Sequence, residues 1–373
     1  MQGSPQGPGR PARRGWMWLL ALVLVAGGVL LLLGLGGFRR GAVIAPIRPH
    51  DAADAAQAAS AKVPSGPLTI YCGRSEPLMK PLFDRFGAES GASLVVRYGD
   101  TWGLEQEIVA EGTQTPAAVF VAQDAAALGA LSRKGLLHEL PMEIVQQVEP
   151  RFAGTEAKHD WVGLSARARA VVYDPAVTPK EALPRTLEEV ADAKYEGRFG
   201  IAPANDSFQA QLALYRVLKG RDELAALLSG IKKNHPHLYE NNAAVVQAVV
   251  RGEIAFGLVN HYSLWREAEA VPAGRLAVAF MPGEGVAGFV NAAGVGVLAA
   301  DPRALDLVRF LLSREAQKAI AEQTYEYPLA KGVAPREGLP PWSLLRIPKF
   351  DFADVAAVME DTDQAIRRAG LVP

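Results

Sequence analysis

Asn260, His261, Tyr262 and Ser263 stand together where an apolar run ends, in the stretch EIAFGLVNHYSLW from Glu253 to Trp265. Ile254, Phe256 and Leu258 alternate with small residues ahead of Val259, the pattern of a half-buried or fully buried strand. An amide, an imidazole, a phenol and a hydroxyl at the carboxyl end of such a strand suit a polar or charged ligand, because open α/β sheets bind ligands in the crevice beyond their strand ends. The same four residues are also compatible with a satisfied Asn/His turn carrying one amphipathic tyrosine.

Other residues of similar chemistry recur along the chain. In WVGLSARARAVVYD, Arg167 and Arg169 share one side of a regular strand and, with Ser165, suit a carboxylate or phosphate-like oxyanion; an edge strand with solvated arginines would read the same way. Asn205, Asp206 and Ser207 precede an amphipathic helix, where they either cap it or border an anion site at its free N–H groups. Asn241 stands at a similar start. Ser75, Asp100-Thr101 and Gln123-Asp124 follow three successive predicted strands and belong on one rim.

The elements that must position these groups alternate. Strands at Leu68–Tyr71, Ser93–Tyr98 and Ala117–Val121 are separated by helices at Pro77–Glu89 and Leu104–Glu111, the pattern of a parallel sheet with crossover helices. A helix at Ala126–Gly135 and the long strand at Trp161–Asp174 follow, and a strand that long can pass between two lobes. A second alternation runs from Arg198–Ala202 through helices at Glu223–Ile231 and Ala243–Arg251 to the strand ending at Asn260. Strands at Leu276–Phe280 and Asn291–Leu298, helices from Asp301 to Glu322 and a last helix at Phe352–Gly370 complete the chain.

The 373 residues are 49% hydrophobic and 21% charged, a globular composition with room for two or three domains. Of the 39 Lys/Arg and 40 Asp/Glu, seven and two lie at or before Gly66, which leaves an excess of six acids beyond it and no basic face for nucleic acid. Cys72 is the only cysteine, so no internal disulfide forms. No G-x-S-x-G, Walker A, H-E-x-x-H, C-x-x-C or dinucleotide fingerprint is present, and no nucleophile–base pair stands out, so an enzyme is not expected. Trp16–Gly37 is uncharged throughout and would span about 33 Å as a helix, close to a bilayer core. The expected layout is a cytoplasmic tail at 1–15, a transmembrane anchor at 16–37, a linker at 38–67 and a globular body beyond. The run is longer than the apolar region of a cleaved secretory signal, although the Ala-rich stretch from Ala52 to Ala61 could still offer a cut site.

Six segments of the body, Ile70–Phe86, Val119–Leu137, Trp161–Pro175, Gly200–Gly220, Tyr239–Trp265 and Thr324–Val333, resemble in order and spacing the periplasmic ferric-iron-binding proteins of bacterial ABC importers. The resemblance implies a two-lobed α/β type II periplasmic-binding fold, here preceded by one transmembrane helix. The first lobe would take 68–165 and 280–373, and the second 166–279. It further implies a monomer anchored in the inner membrane with its body in the periplasm, an ABC permease and ATPase as partners, and ferric iron as ligand with a synergistic anion. Such proteins place two adjacent tyrosines after the Asn-His motif; Tyr262 matches the first as a metal ligand, and Ser263 stands at the second. Ser75 and Gln123 stand where some members carry a histidine and a glutamate. Ser165, Arg167, Arg169, Asn205, Ser207, Asn241 and Asn260 would hold the anion. A binding protein for a small anion and a sensory or accessory ectodomain are the competing readings.

Overall fold

The computed structural model describes residues 66–155, 157–267, 274–283, 285–341 and 344–372. The apolar run at 16–37 and most of the expected linker lie outside the described residues. Among those residues no helix is long and apolar enough to cross a membrane.

The first half follows its hydrophobic pattern. β1 (Leu68–Cys72) pairs in parallel with both β2 (Leu94–Tyr98) and β3 (Val119–Ala122), through crossover helices α1 (Glu76–Ser90) and α2 (Thr101–Glu111). Asp100 caps α2 by accepting from the Gly103 N–H, and Asp124 caps α3 (Ala125–Arg133) by accepting from Ala126. Ser75 occupies the cap position of α1 without a side-chain capping bond, and the helix stops at Gly91, whose φ of 71° suits a residue with no Cβ. Gly73 is required for a different reason: a Cβ there would lie 2.1 Å from the Thr101 hydroxyl oxygen, the group that accepts from the Gln123 N–H. After the short α4 (Met142–Val145) the chain enters β4 (Trp161–Tyr173), buried along its whole length.

The second half repeats the alternation. β5 (Phe199–Ile201) pairs in parallel with β6 (His237–Leu238) and β7 (Phe256–Asn260), with α5 (Asp206–Lys219), α6 (Arg221–Lys233) and α7 (Asn242–Val250) between them. The one-turn α8 (Ser263–Glu267) leaves β7, and β8 (Ala277–Ala279) leads to β9 (Val290–Val297). α9 (Pro302–Leu311), α10 (Arg314–Thr324), β10 (Tyr327–Pro328) and α11 (Phe352–Arg368) follow. Neighbouring strands run β2-β1-β3-β9-β4-β7-β5-β6.

β4 joins the two lobes. Trp161 to Ala168 pair antiparallel with β9, whereas Arg169 to Tyr173 pair with β7, and Val171 to Tyr173 also with β8. Because the strand has partners on both sides, the alternative of an edge strand with solvated arginines does not hold: Arg167 is 3% and Arg169 2% exposed. A register shift between Gly163 and Ser165 re-aims the strand just before these residues. One hydrophobic core gathers around β1, β3 and β9, a second around β5, β7, α5 and α6. α11 contributes Val355 and Ile366 to the second core, while its first residue Phe352 packs edge-on against Trp161 of the first.

Candidate functional site

The polar residues converge where β4 passes from one lobe to the other, between the ends of β3 and β7 and the first turn of α5. Two arginines spaced by two on a strand meet two residues spaced by four on a helix. Arg167 Nε donates to Ser207 Oγ at 3.2 Å and Arg169 Nε to Gln211 Oε1 at 3.3 Å, which confirms that the guanidinium groups share a face. Arg167 also reaches the other lobe: its Nη1 donates to the Gln123 carbonyl at 2.8 Å, and its Nη2 lies 4.0 Å from Asp124. One side chain thus bridges the carboxyl end of β3 and the amino-terminal turn of α5.

Tyr262 sits half-buried just past β7. Its Oη accepts from Asn260 Nδ2 at 2.9 Å, and the Arg266 guanidinium lies 4.2 Å from its ring centroid. Asn260 Nδ2 also donates to Ser207 Oγ at 3.2 Å, while its Oδ1 accepts from Arg169 Nη1 at 3.0 Å. Burial pulls the Arg169 guanidinium down to about 9, since its partners are the neutral Asn260, Gln211 and the Leu258 carbonyl. His261 is fully used. Its Nδ1 accepts from the Ala168 N–H, its Nε2 donates to the Tyr325 carbonyl, and burial lowers it to about 4, so a neutral ring stacks on Tyr327 as part of the core. For His261 the satisfied-turn reading is therefore the right one.

Beneath the rim lies a buried ion pair. Glu326, just before β10, accepts from Arg74 Nη2 at 2.7 Å, from Ser165 Oγ at 2.5 Å and from Gln123 Nε2 at 3.4 Å; Arg74 Nη1 donates to Ser165 Oγ at 2.7 Å. Burial would raise Glu326, but Arg74, then Arg167 and the Ser165 hydroxyl, outweigh it and hold the carboxyl down to about 2.

Seven of the residues singled out from sequence, Gln123, Ser165, Arg167, Arg169, Ser207, Asn260 and Tyr262, form this connected cluster. Four do not enter it. Asn241 is exposed and its side chain caps α7 by accepting from the Ala244 N–H. Ser75 is exposed at the head of α1, and Ser263 is buried in the first turn of α8. Asn205 holds the cap position of α5 without a capping bond, its Oδ1 buried without a partner. Arg74, Gln211 and Glu326 belong to the cluster and were not singled out; Glu326 lies between Tyr325 and Tyr327, and only the pairing of β10 with β4 brings it next to Ser165. Among the described residues no group of three or more His, Cys, Asp or Glu could hold a metal ion.

The profile of the bacterial extracellular solute-binding protein family matches residues 81–343. The chain is also similar to the major ferric iron-binding protein of Neisseria meningitidis serogroup B, 29% identical over 309 residues, covering 82% of this chain and 93% of that one. It belongs to the periplasmic ferric-iron-binding family of bacterial solute-binding proteins. Two solved structures agree with this solute-binding protein in fold. Iron-bound HitA from Pseudomonas aeruginosa has a TM-score of 0.72 at 30% identity, covering 80% of this chain and 98% of that one. The Trichodesmium protein IdiA (FutA), solved with iron and citrate ligands, has a TM-score of 0.69 at 27% identity, covering 82% and 99%. The two-lobed periplasmic-binding architecture expected from sequence is therefore the architecture of this chain.

Proposed function

We propose that this solute-binding protein is the extracytoplasmic receptor of an ABC importer and captures ferric iron between its lobes. Tyr262 supplies a phenolate, and a synergistic anion is held at the rim of Arg167, Ser207 and Gln123. The observation that carries this reading is Tyr262 itself, a half-buried phenol whose oxygen receives an N–H from Asn260 beside two buried guanidinium groups. Ferric iron is a hard cation that favours anionic oxygen ligands, and an anion on the arginine rim would complete what one phenolate leaves open. A permease and ATPase follow as partners from the family. The reading includes an inner-membrane tether through residues 16–37, with the body outside the cytoplasm.

A second reading, a receptor for a small anion alone, is favoured by Ser263. It replaces a second phenolate with a neutral, buried hydroxyl, and an uncompensated Arg169 lies behind the rim. One titration separates the two. Added ferric nitrilotriacetate should give wild-type protein a visible phenolate-to-iron charge-transfer band that Tyr262→Phe abolishes. Ser263→Tyr should hold the metal at least about tenfold longer against citrate, since each added anionic oxygen ligand strengthens retention. A wild type that stays colourless, and a Ser263→Tyr variant that gains nothing, would hand the cleft to the anion reading.

A further inference from the structure

Arg169 is a buried cation with no carboxylate partner among the ion pairs of the described residues. Desolvating a guanidinium is costly unless its donors are well met. Here they are met only by neutral oxygens, on Gln211, on the Leu258 carbonyl at 3.0 Å and on Asn260. Gln211 is itself held in place, because its Nε2 donates to the Val286 carbonyl at 3.0 Å, so its oxygen must face Arg169. Arg169 and Asn260 are directly opposite in the β4–β7 pairing, which brings guanidinium and amide together by register.

We propose that Arg169 is a positioning residue for the ligand: by holding Asn260 Oδ1 it forces the Asn260 N–H onto the Tyr262 oxygen. This rests on the reading of Tyr262 as an iron ligand. An amide can be turned end for end at little cost where its neighbours are indifferent. At Asn260 they are not. The reversed amide would set an NH2 group against the guanidinium, donor against donor, and would offer Tyr262 an oxygen instead of an N–H. Arg169 thereby selects the orientation in which Tyr262 Oη is an acceptor, and the positive charge behind the amide polarises the N–H that it receives. When the phenol oxygen bears negative charge on a metal, this pair lowers the energy of that charge from the side away from the cleft. A purely structural role for Arg169, closing the junction of β4, β7 and α5, would make no such demand on Tyr262.

The energy of the phenolate-to-iron band separates the two roles, because that energy depends on how strongly the phenolate oxygen is stabilised. Full-length protein loaded with ferric nitrilotriacetate would be compared as wild type, Arg169→Gln, Asn260→Asp and Tyr262→Phe. Asn260→Asp keeps size and the contact to Arg169, and puts an oxygen in place of the donating N–H. Its band should move to longer wavelength, and that of Arg169→Gln should move the same way by less. A band at the wild-type position in folded Asn260→Asp would overturn the proposal. Should Arg169→Gln fail to fold, Asn260→Asp decides alone, since it leaves the guanidinium better paired than before. A wild type without a band, or a band that survives in Tyr262→Phe, would instead overturn the assignment of Tyr262 and this inference with it.

Discussion

Glu326 shows how a site can depend on a residue that does not belong to its rim. Its carboxylate ties together Arg74, Ser165 and Gln123, so it sets the platform on which the end of β3 presents Gln123 to Arg167 of β4. Glu326→Gln would leave the Arg74 guanidinium buried without a counter-charge and should cost about 3–5 kcal/mol of stability in denaturant melts. The pH dependence has a defined sign. The folded-state value is depressed to about 2, below the unfolded one, so the contribution is present above the unfolded carboxylate range and is lost as pH falls towards 2. The variant should therefore show a flatter acid limb of stability than wild type. At this scale the donors were legible as types at strand ends, whereas Glu326 and Arg74 were not. A buried acid between two tyrosines carries no local sign of its partner, which lies 252 positions away.

Among the elements, α11 ties the lobes together from behind the site. It packs on α3, whose first turn opens beside Gln123, and on α5, whose first turn carries Ser207. Gln209 and Arg216 of α5 bond Asp363 and Asp361, Arg133 of α3 pairs with Asp354, and Arg221 of α6 also reaches Asp361. The contact with α3 is close enough to need a glycine, since a Cβ at Gly129 would lie 2.6 Å from the Ala353 nitrogen. Gly129→Val should therefore destabilise by about 1–3 kcal/mol through overpacking. It should also speed release of bound ligand by loosening the grip of α11 on the first lobe. Chemical denaturation and stopped-flow release with a chelator measure the two effects, and unchanged values for both would show that this contact is dispensable. The helix itself was foreseeable from its apolar period. Which helices it would bridge was not, because an amphipathic stripe states that a face is buried and leaves open against what.

For the molecule as a whole, the continuous β4 is what makes one cleft out of two sheets, since the same strand is hydrogen-bonded into both lobes and delivers Arg167 between them. The proposed tether is tested at the same scale. Full-length protein should fractionate with inner membranes and keep its amino terminus, and a truncation beginning at Pro64 should be soluble and unfold in one cooperative transition. Recovery of native protein cleaved after Ala45 or Ala61 would overturn the tether. Much of this architecture was determined by sequence alone: the strand–helix alternation, the rim of polar strand ends, the two-lobed class and the placing of Tyr262, Asn260 and Arg167 on that rim. The alternation and the polar strand ends are consequences of hydrophobic period, turn residues and chain order, all of which are local, whereas the two-lobed class was implied by the family resemblance. Only the tertiary structure decided that Asn241 caps a helix and His261 stacks in the core, that Arg169 stands behind Asn260, and that Glu326 anchors the rim. Those outcomes depend on which donor meets which acceptor across strands and helices distant in sequence, and a buried polar group takes its role from the partner that satisfies it.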